Sequence, residues 1–481
     1  MTEKKKAALS VIEEKKDMIF DVSDKIWDFA ELSLAEYRSC DLYCDVLEKE
    51  GFEVEKGICT IPTAFSGSYG SGRPVIGILA EYDALSGLSQ QAGALKKKDR
   101  EDEDASPNGH GCGHNLLGAG ALGAAIGIKR FLEGRNGQGT VILYGCPGEE
   151  GCASKAFMAR DGEWKKLDAA LTWHPSDCNE VVTGSSNSCI QVSYTFKGIA
   201  SHASGAPEKG RSALDAVELM NIGVQFLREH MSDRARVHYA ITDTGGVSPN
   251  VVQPRAQVLY MVRSNHVSEA VELQKRVDKI AEGAALMTET EYERQFVDGL
   301  SDTVTNRALE DVMYRNFEEI GAPSYTGEEL EYVGKLSETY EGNDRAPGIG
   351  SAFDSEYAQE ALNLRSRTQA MNDFLLPHFG GDAFEPGSTD VGDVSWLCPT
   401  AQIHVASWPN GCPGHSWQNV ALGKTSIAHK SVLCAAKVIC ASAIDLFEDE
   451  ELIKKAEKEF ELRTKSGYCC PIPSGAVAKP L

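Results

Sequence analysis

Apolar residues recur at helical spacing through residues 8–50: Leu9, Ile12, Ile19, Val22, Ile26 and Phe29, then after a break Leu42, Val46 and Leu47. One apolar position per turn is what a helix needs to bury a single face. The run PVIGILAEYDAL (74–85) is of another kind, continuous and β-branched, and predicts a strand buried on both faces that enters a loop. TVILYGCPGEEG (140–151) and DAALTWHP (168–175) repeat that pattern. Between the first two, LLGAGALGAAIGIKRFLE (116–133) predicts an apolar helix whose small residues allow close packing on a sheet, and LKKKDREDEDASPNG (95–109) predicts a solvated loop. Strands that end in polar loops, with a helix between them, predict an α/β sheet whose ligands lie beyond the carboxyl ends of its strands.

After residue 189 the rhythm changes. CIQVSYTFKG alternates like a half-buried strand, SALDAVELMNIGVQFLREHM is helical, VHYAITDTGG and AQVLYMVRSN pair as strands, VSEAVELQKRVDKIAEGAALM is helical, and TEYERQFVDG is a strand. That order, β-α-β-β-α-β, is the split βαβ unit, expected as an insertion over residues 190–300 between 1–189 and 301–481. A helix is predicted over 304–320; the rest of 305–385 is polar and shows no period. GSTDVGDVSW, AQIHVASWP and the helical TSIAHKSVLCAAKVICASAIDLF return to the first style, and 466–481 reads as irregular.

The 48 basic and 71 acidic side chains leave a net charge of −23, which argues against nucleic acid as a partner, since phosphate contacts need clustered Lys and Arg. An anionic substrate would have to be met by a few local cations. No stretch approaches the ~18–20 apolar residues of a membrane span, and the lysines of the opening segment are followed by no apolar run. With fourteen cysteines, that composition is expected of a reduced, cytoplasmic protein.

Four strand-end loops carry side chains that bind metals: Cys112 and His114 in GHGCGHN, Glu149 and Glu150 in CPGEEG, His174 in TWHP, and His415 in GCPGHSWQ. Each alone is weak, since a lone histidine is usually a satisfied core or surface residue and a buried free cysteine usually packs. Together, each beside Gly or Pro just past an apolar run, they assemble the thiolate, imidazole and carboxylate set that suits zinc and similar metals. Adjacent glutamates can divide labour, one holding a cation and its neighbour a proton.

In the same order, GHGCGHN, CPGEEG, TWHP, GIASHASG, GGVSPNVVQPRAQVLYMVR, STDVGDVSW and GHSW resemble the motifs of the co-catalytic metallo-amidohydrolases, which include aminoacylases, hippurate hydrolases and plant auxin-conjugate hydrolases. The resemblance spans nearly the whole chain. It implies a zinc-aminopeptidase-like α/β catalytic domain (1–189 and 301–481) with the β-α-β-β-α-β sandwich (190–300) as lid and dimerisation domain. It makes Cys112 the ligand bridging two divalent metal ions, zinc or manganese, with Glu150 and His415 completing one site and His114 and His174 the other. Glu149 becomes the general base and acid. Relatives open with His-x-Asp where this chain has Glu81 and Asp83; the acid is kept as a support beside the metals, and His114 compensates for the lost histidine. In the inserted domain, the resemblance implies that His202 polarises the scissile carbonyl from the opposite subunit, while Asn250 and Arg263 hold a carboxylate or carbonyl.

The implied reaction is hydrolysis of the amide of a small N-acyl amino acid, foremost p-aminobenzoyl-glutamate to p-aminobenzoate and glutamate, by a homodimer or a heterodimer with a paralogous subunit. Three alternatives stay open: another N-acyl amino acid or dipeptide as substrate, an accessory role in a hetero-oligomer, and an amidase using Cys112 as nucleophile with His114 or His110 as base. His230, His238, His266, His378 and His429 have no ligand-like company; His404, on a strand close in sequence to His415, is expected to pack in the core, with a place behind the ligands as the alternative; and Cys146 and Cys152 are expected to pack.

Overall fold

The computed structural model describes residues 1–480. Its strands, in chain order, are β1 (Glu53–Lys56), β2 (Phe65–Ala80), β3 (Gln138–Gly145), β4 (Ala169–Ser176), β5 (Glu180–Val181), β6 (Ser185–Ser186), β7 (Ser188–Lys197), β8 (Arg236–Asp243), β9 (Arg255–Ser264), β10 (Glu291–Leu300), β11 (Phe384–Glu385) and β12 (Thr400–Ala406). The main sheet has the order β1-β2-β4-β12-β5, with β3 also paired to β2. Residues 75–80 of β2 run parallel to β3, residues 76–78 run parallel to β4, and β12 runs parallel to β4.

Alternate residues of these strands enter two cores. Ile76, Ile78, Val141, Leu143, Ala169 and Leu171 pack with the helix His114–Glu133, while Leu79, Ile142, Tyr144 and Ala170 pack with the helix Ser154–Arg160. A sheet covered on both faces needs apolar residues at every position, which is why its strands read as unbroken runs. The helix His114–Glu133 lies close because its glycines leave room: a Cβ on Gly120 would stand 2.6 Å from Trp173 Nε1, and one on Gly127 would stand 2.8 Å from Cys440 Sγ.

Two sequence expectations are corrected. The strand expected over 74–85 starts at Phe65 and stops at Ala80. Its first part is a separate arm, residues 65–70, which runs antiparallel to β3 before the chain reverses near Gly70 and Gly72, both at positive φ, and the expected end leaves the sheet because Glu81 and Asp83 are held by polar contacts. Beyond the helix Arg307–Ile320, the segment without a period contains two more helices, Gly327–Ser337 and Ser355–Arg365. The first opens with a Thr326/Glu329 capping box and buries only Val333 and Leu336, too few apolar positions to show a stripe.

A second sheet, in the antiparallel order β10-β7-β9-β8, is backed by the helices Ala213–Leu227 and Val267–Thr288. Strand β8 is an edge, with Tyr239 and Ile241 exposed.

One buried charge joins several of these pieces. Lys155, in the first turn of Ser154–Arg160, has no solvent exposure; its Nζ meets Glu81 Oε1 at 2.7 Å and the Asp390 carboxylate, and its backbone N–H donates to Asp390 Oδ2 at 3.0 Å. Burial favours the neutral amine, yet Asp390 and Glu81 outweigh it and hold the ammonium well above its ordinary pKa. Lys155→Met should therefore lower stability by about 3–5 kcal/mol, because it strands two buried carboxylates, and adding Asp390→Asn should recover part of the loss. Denaturant midpoints of the two variants measure this, and an unchanged midpoint for Lys155→Met would rule the account out.

Candidate metal centre and active site

The parallel strands all release their chains at one end of the sheet. Glu81 and Asp83 follow β2, Glu149 and Glu150 follow β3, His174 is near the end of β4, and the loop bearing His415 follows β12. Cys112 and His114 come to the same place from the N-terminus of the helix His114–Glu133, whose preceding residue, Gly113, has φ +78°. A residue with a Cβ is strained there, so glycine lets thiol and imidazole turn toward one point. His415 is itself left-handed at φ +52°, an uncommon conformation for a non-glycine residue and one that collects at functional sites.

The ligand atoms of Cys112, His114 and His174 all lie within 4.8 Å of one another, and so do those of Cys112, Glu150 and His415. Cys112 belongs to both groups; its Sγ is 3.4 Å from His174 Nε2, and His415 Nε2 is 3.6 Å from Glu150 Oε1. The remaining nitrogens fix the tautomers. His114 Nδ1 is 2.8 Å from Asp83 Oδ1 and His174 Nδ1 is 2.7 Å from the Pro175 carbonyl oxygen, so each ring donates from Nδ1 and turns its Nε2 inward. His114 Nε2 and Glu150 Oε1 are buried without a hydrogen-bond partner among the described residues. Buried polar atoms left without a partner around a thiol shared by both groups fit the binding of divalent cations.

Glu149 stands beside this group, its Oε2 4.0 Å from His114 Nε2. Burial first, then Glu81 and Glu150, push its carboxyl well above the usual range; burial also raises Glu150 and the Cys112 thiol. His174 is pushed down to about 4 by burial and the neighbouring His114. These groups resist carrying charge side by side, and a bound cation relieves that resistance directly. Glu81 completes the cluster, with Oε2 3.3 Å from His114 Nε2 and its other oxygen on Lys155.

Cys112, Glu149, Glu150, His174 and His415 line a cavity of about 490 Å³ whose walls include Val182, Thr303, Thr305, Ile349, Ser388 and Trp408. His202, Asn250 and Arg263 do not line it. His202 and Asn250 are exposed and adjacent, joined by the Ala203 N–H donating to the Asn250 carbonyl at 3.0 Å. His202 Nδ1 accepts from the Gly205 and Ser204 N–H groups at 3.0 and 3.3 Å, which leaves Nε2–H as a free donor. Arg263, on β9, reaches the rim by donating to Ser388 Oγ at 2.8 Å.

His404, expected in the core, is corrected: it lines the cavity, with Nδ1 3.0 Å from Glu180 Oε1. It is directly opposite Glu180 across the β12–β5 pair and beside His174 across the β12–β4 pair, a placement that alternation along one strand does not reveal. Cys178, Glu180 and His404 also cluster, but both oxygens of Glu180 are engaged, the second by the Ile349 N–H at 3.0 Å, so this is a hydrogen-bonded dyad. Sequence reasoning also missed Glu36, buried under the glutamate loop and accepting from the Gly148 N–H at 2.8 Å; burial and nearby Asp83 push its carboxyl up to about 8. His110 stays outside the cluster, with Nε2 on the Ile26 carbonyl at 3.0 Å.

Known proteins share this chain's sequence and fold. The peptidase dimerisation domain family matches residues 186–288. The chain is 44% identical over 472 residues to one of the subunits of p-aminobenzoyl-glutamate hydrolase from Escherichia coli, covering 98% of each chain. It is 26% identical to the Xaa-Arg dipeptidase of Mus musculus, over 95% of this chain and 92% of that one. Among solved structures, a Bacillus subtilis protein described as a dinuclear metal-binding peptidase from the M20 family shares the fold at TM-score 0.53 and 17% identity, over 91% of this chain and 99% of that one. With near-complete coverage at 44% identity and a matching dimerisation domain, the chain belongs to the M20 family of metal-dependent amidohydrolases.

Proposed function

We propose that this chain hydrolyses the amide bond of p-aminobenzoyl-glutamate, releasing p-aminobenzoate and glutamate. The observation that carries the reading is the paired ligand set sharing Cys112, with Glu149 beside it in a cavity large enough for one small amide; the full-length likeness to the Escherichia coli hydrolase supports the substrate. Cys112, Glu150 and His415 would hold one divalent ion and Cys112, His114 and His174 the other, zinc or manganese. Such a pair supplies Lewis acidity toward the amide carbonyl and acidifies the attacking water. Asp83 holds His114 in its binding tautomer and steadies the Glu150 backbone.

Glu149 takes a proton from the attacking water and delivers it to the amide nitrogen as the C–N bond breaks, a transfer suited to a carboxyl whose surroundings raise its pKa. His202 Nε2–H donates to the oxygen of the tetrahedral centre. Since His202 and Asn250 lie outside the cavity of their own chain, we assign them to the site of a second protomer, either another copy of this chain or a paralogue, paired through the unit 190–300. Exposed edge strands favour such pairing. Arg263, at the rim beside Ser388, is assigned to a substrate carboxylate.

A cysteine amidase is the second reading, favoured by the 3.4 Å Cys112–His174 contact. Metal analysis separates the two. Cys112→Ala and Glu150→Ala should lose bound metal together with activity, whereas a Cys112→Ala protein that keeps its full metal yet does not turn over would favour the nucleophile.

Glu149→Gln should keep its metal and lose ~10²–10⁴-fold in kcat; metal loss in this variant would reassign Glu149 as a ligand.

Shared sites make a third expectation. His202→Ala and Glu149→Gln should each be nearly inactive, and their mixture, after protomer exchange, should recover roughly a quarter of wild-type activity, since half the dimers are mixed and each has one intact site. Verified mixed dimers that remain inactive would return His202 to the site of its own chain or remove it from the chemistry.

A further inference from the structure

Among the described residues lining the cavity, Arg345 is the only lysine or arginine, against the acids Glu149, Glu150, Asp177, Glu310 and Glu385. It lies in the segment that shows no sequence period. Its Nη2 donates to Asp177 Oδ2 at 3.0 Å, and the same oxygen accepts from the Gly411 N–H at 2.7 Å. The Arg345 carbonyl accepts from Asn410 Nδ2 at 2.9 Å, and four residues on, the Ile349 N–H donates to Glu180. The Arg345 side chain remains 59% exposed while Asp177 is 11% exposed, so the aspartate is the fixed member and the guanidinium keeps donors free.

The anchors are informative by position. Asp177 is three residues past His174, and Asn410 and Gly411 precede His415 by five and four residues. The loops that would carry ligands of the two ions therefore also set the position of this cation. An ordinary surface ion pair has no need of that construction, whereas a group that must meet one end of a substrate at a set distance from the reacting amide does. A chain of net charge −23 would repel a doubly anionic substrate unless such a cation waited in the cavity.

We propose that Arg345, oriented by Asp177, binds the side-chain carboxylate of the amino acid released by the reaction and so selects N-acyl derivatives of dicarboxylic amino acids. This rests on the hydrolase reading above. Arg263 at the rim is left for the carboxylate next to the amide. Arginine suits the task because its planar fork matches a carboxylate and it stays charged at every relevant pH.

The test compares p-aminobenzoyl-glutamate with p-aminobenzoyl-glutamine, which differ only in that carboxylate. Wild type should prefer the glutamate. Arg345→Met should lose roughly 10- to 100-fold in kcat/KM on the glutamate, the range of one charge-assisted contact, carried mainly by KM, while its turnover of the glutamine compound stays within about twofold. Arg345→Lys should recover part of the loss. The neutral substrate reports folding and metal loading in the same protein. Equal losses on both substrates, or an unchanged glutamate preference, would overturn the assignment. Wild type inactive on both would instead sink the hydrolase reading, so the two failures are distinguishable.

Discussion

The Asp83 carboxylate, without solvent exposure, accepts from His114 Nδ1 at 2.8 Å on one oxygen and from Ser33 Oγ and the Glu150 N–H, both at 2.9 Å, on the other. Burial alone would neutralise it, but His114 and these donors keep its pKa below the usual carboxylate value. Three segments are thereby referred to one point: the connection after the helix Lys16–Phe29, the start of the helix His114–Glu133, and the glutamate loop. Adjacent carboxylates such as Glu149 and Glu150 repel each other, so an anchor outside the pair has to help hold the loop in place. Glu36, binding the Gly148 N–H from below, is a second such anchor.

The same region gathers Glu81, Glu149 and Asp390 around one buried ammonium, Lys155, with Glu150 beside Glu149. That imbalance attracts cations and discourages anions, so the site is prepared for metal before it is prepared for substrate. The donors proposed to meet the substrate sit apart from that acidic group: Arg345 on the wall, Arg263 at the rim through Ser388, and the free Nε2–H of His202 in the inserted unit.

Much of this was legible in the chain. Strands buried on both faces leave unbroken apolar runs, and polar residues placed just beyond them, next to glycine or proline, mark the loops that meet; Cys112, His114, Glu149, Glu150, His174 and His415 were found that way and do lie together. Asp83 was expected as their support; the other residues that hold them were not found, because support is a property of the packed state. Lys155 in GCASKAF reads as any helical surface lysine, and Asp390 and Glu36 read as solvated acids. Arg345 was hidden in a stretch whose helices bury too few apolar residues to show a period. Alternation placed His404 on a strand without telling which neighbour its side chain would face.

Strand β12 sits between β4 and β5, yet it is made more than two hundred residues after them. A chain emerging from the ribosome therefore cannot close its principal sheet until residue 406 is available, whereas β7 to β10 and their two helices are contiguous in sequence and complete by Leu300. Units whose partners are local form early, and those that wait for distant segments stay open longest. The expected order of maturation thus runs against the order of the chain: the inserted unit becomes native first, and the half-built sheet around it, with its apolar strands still exposed, is the stage at which this protein most needs protection from aggregation.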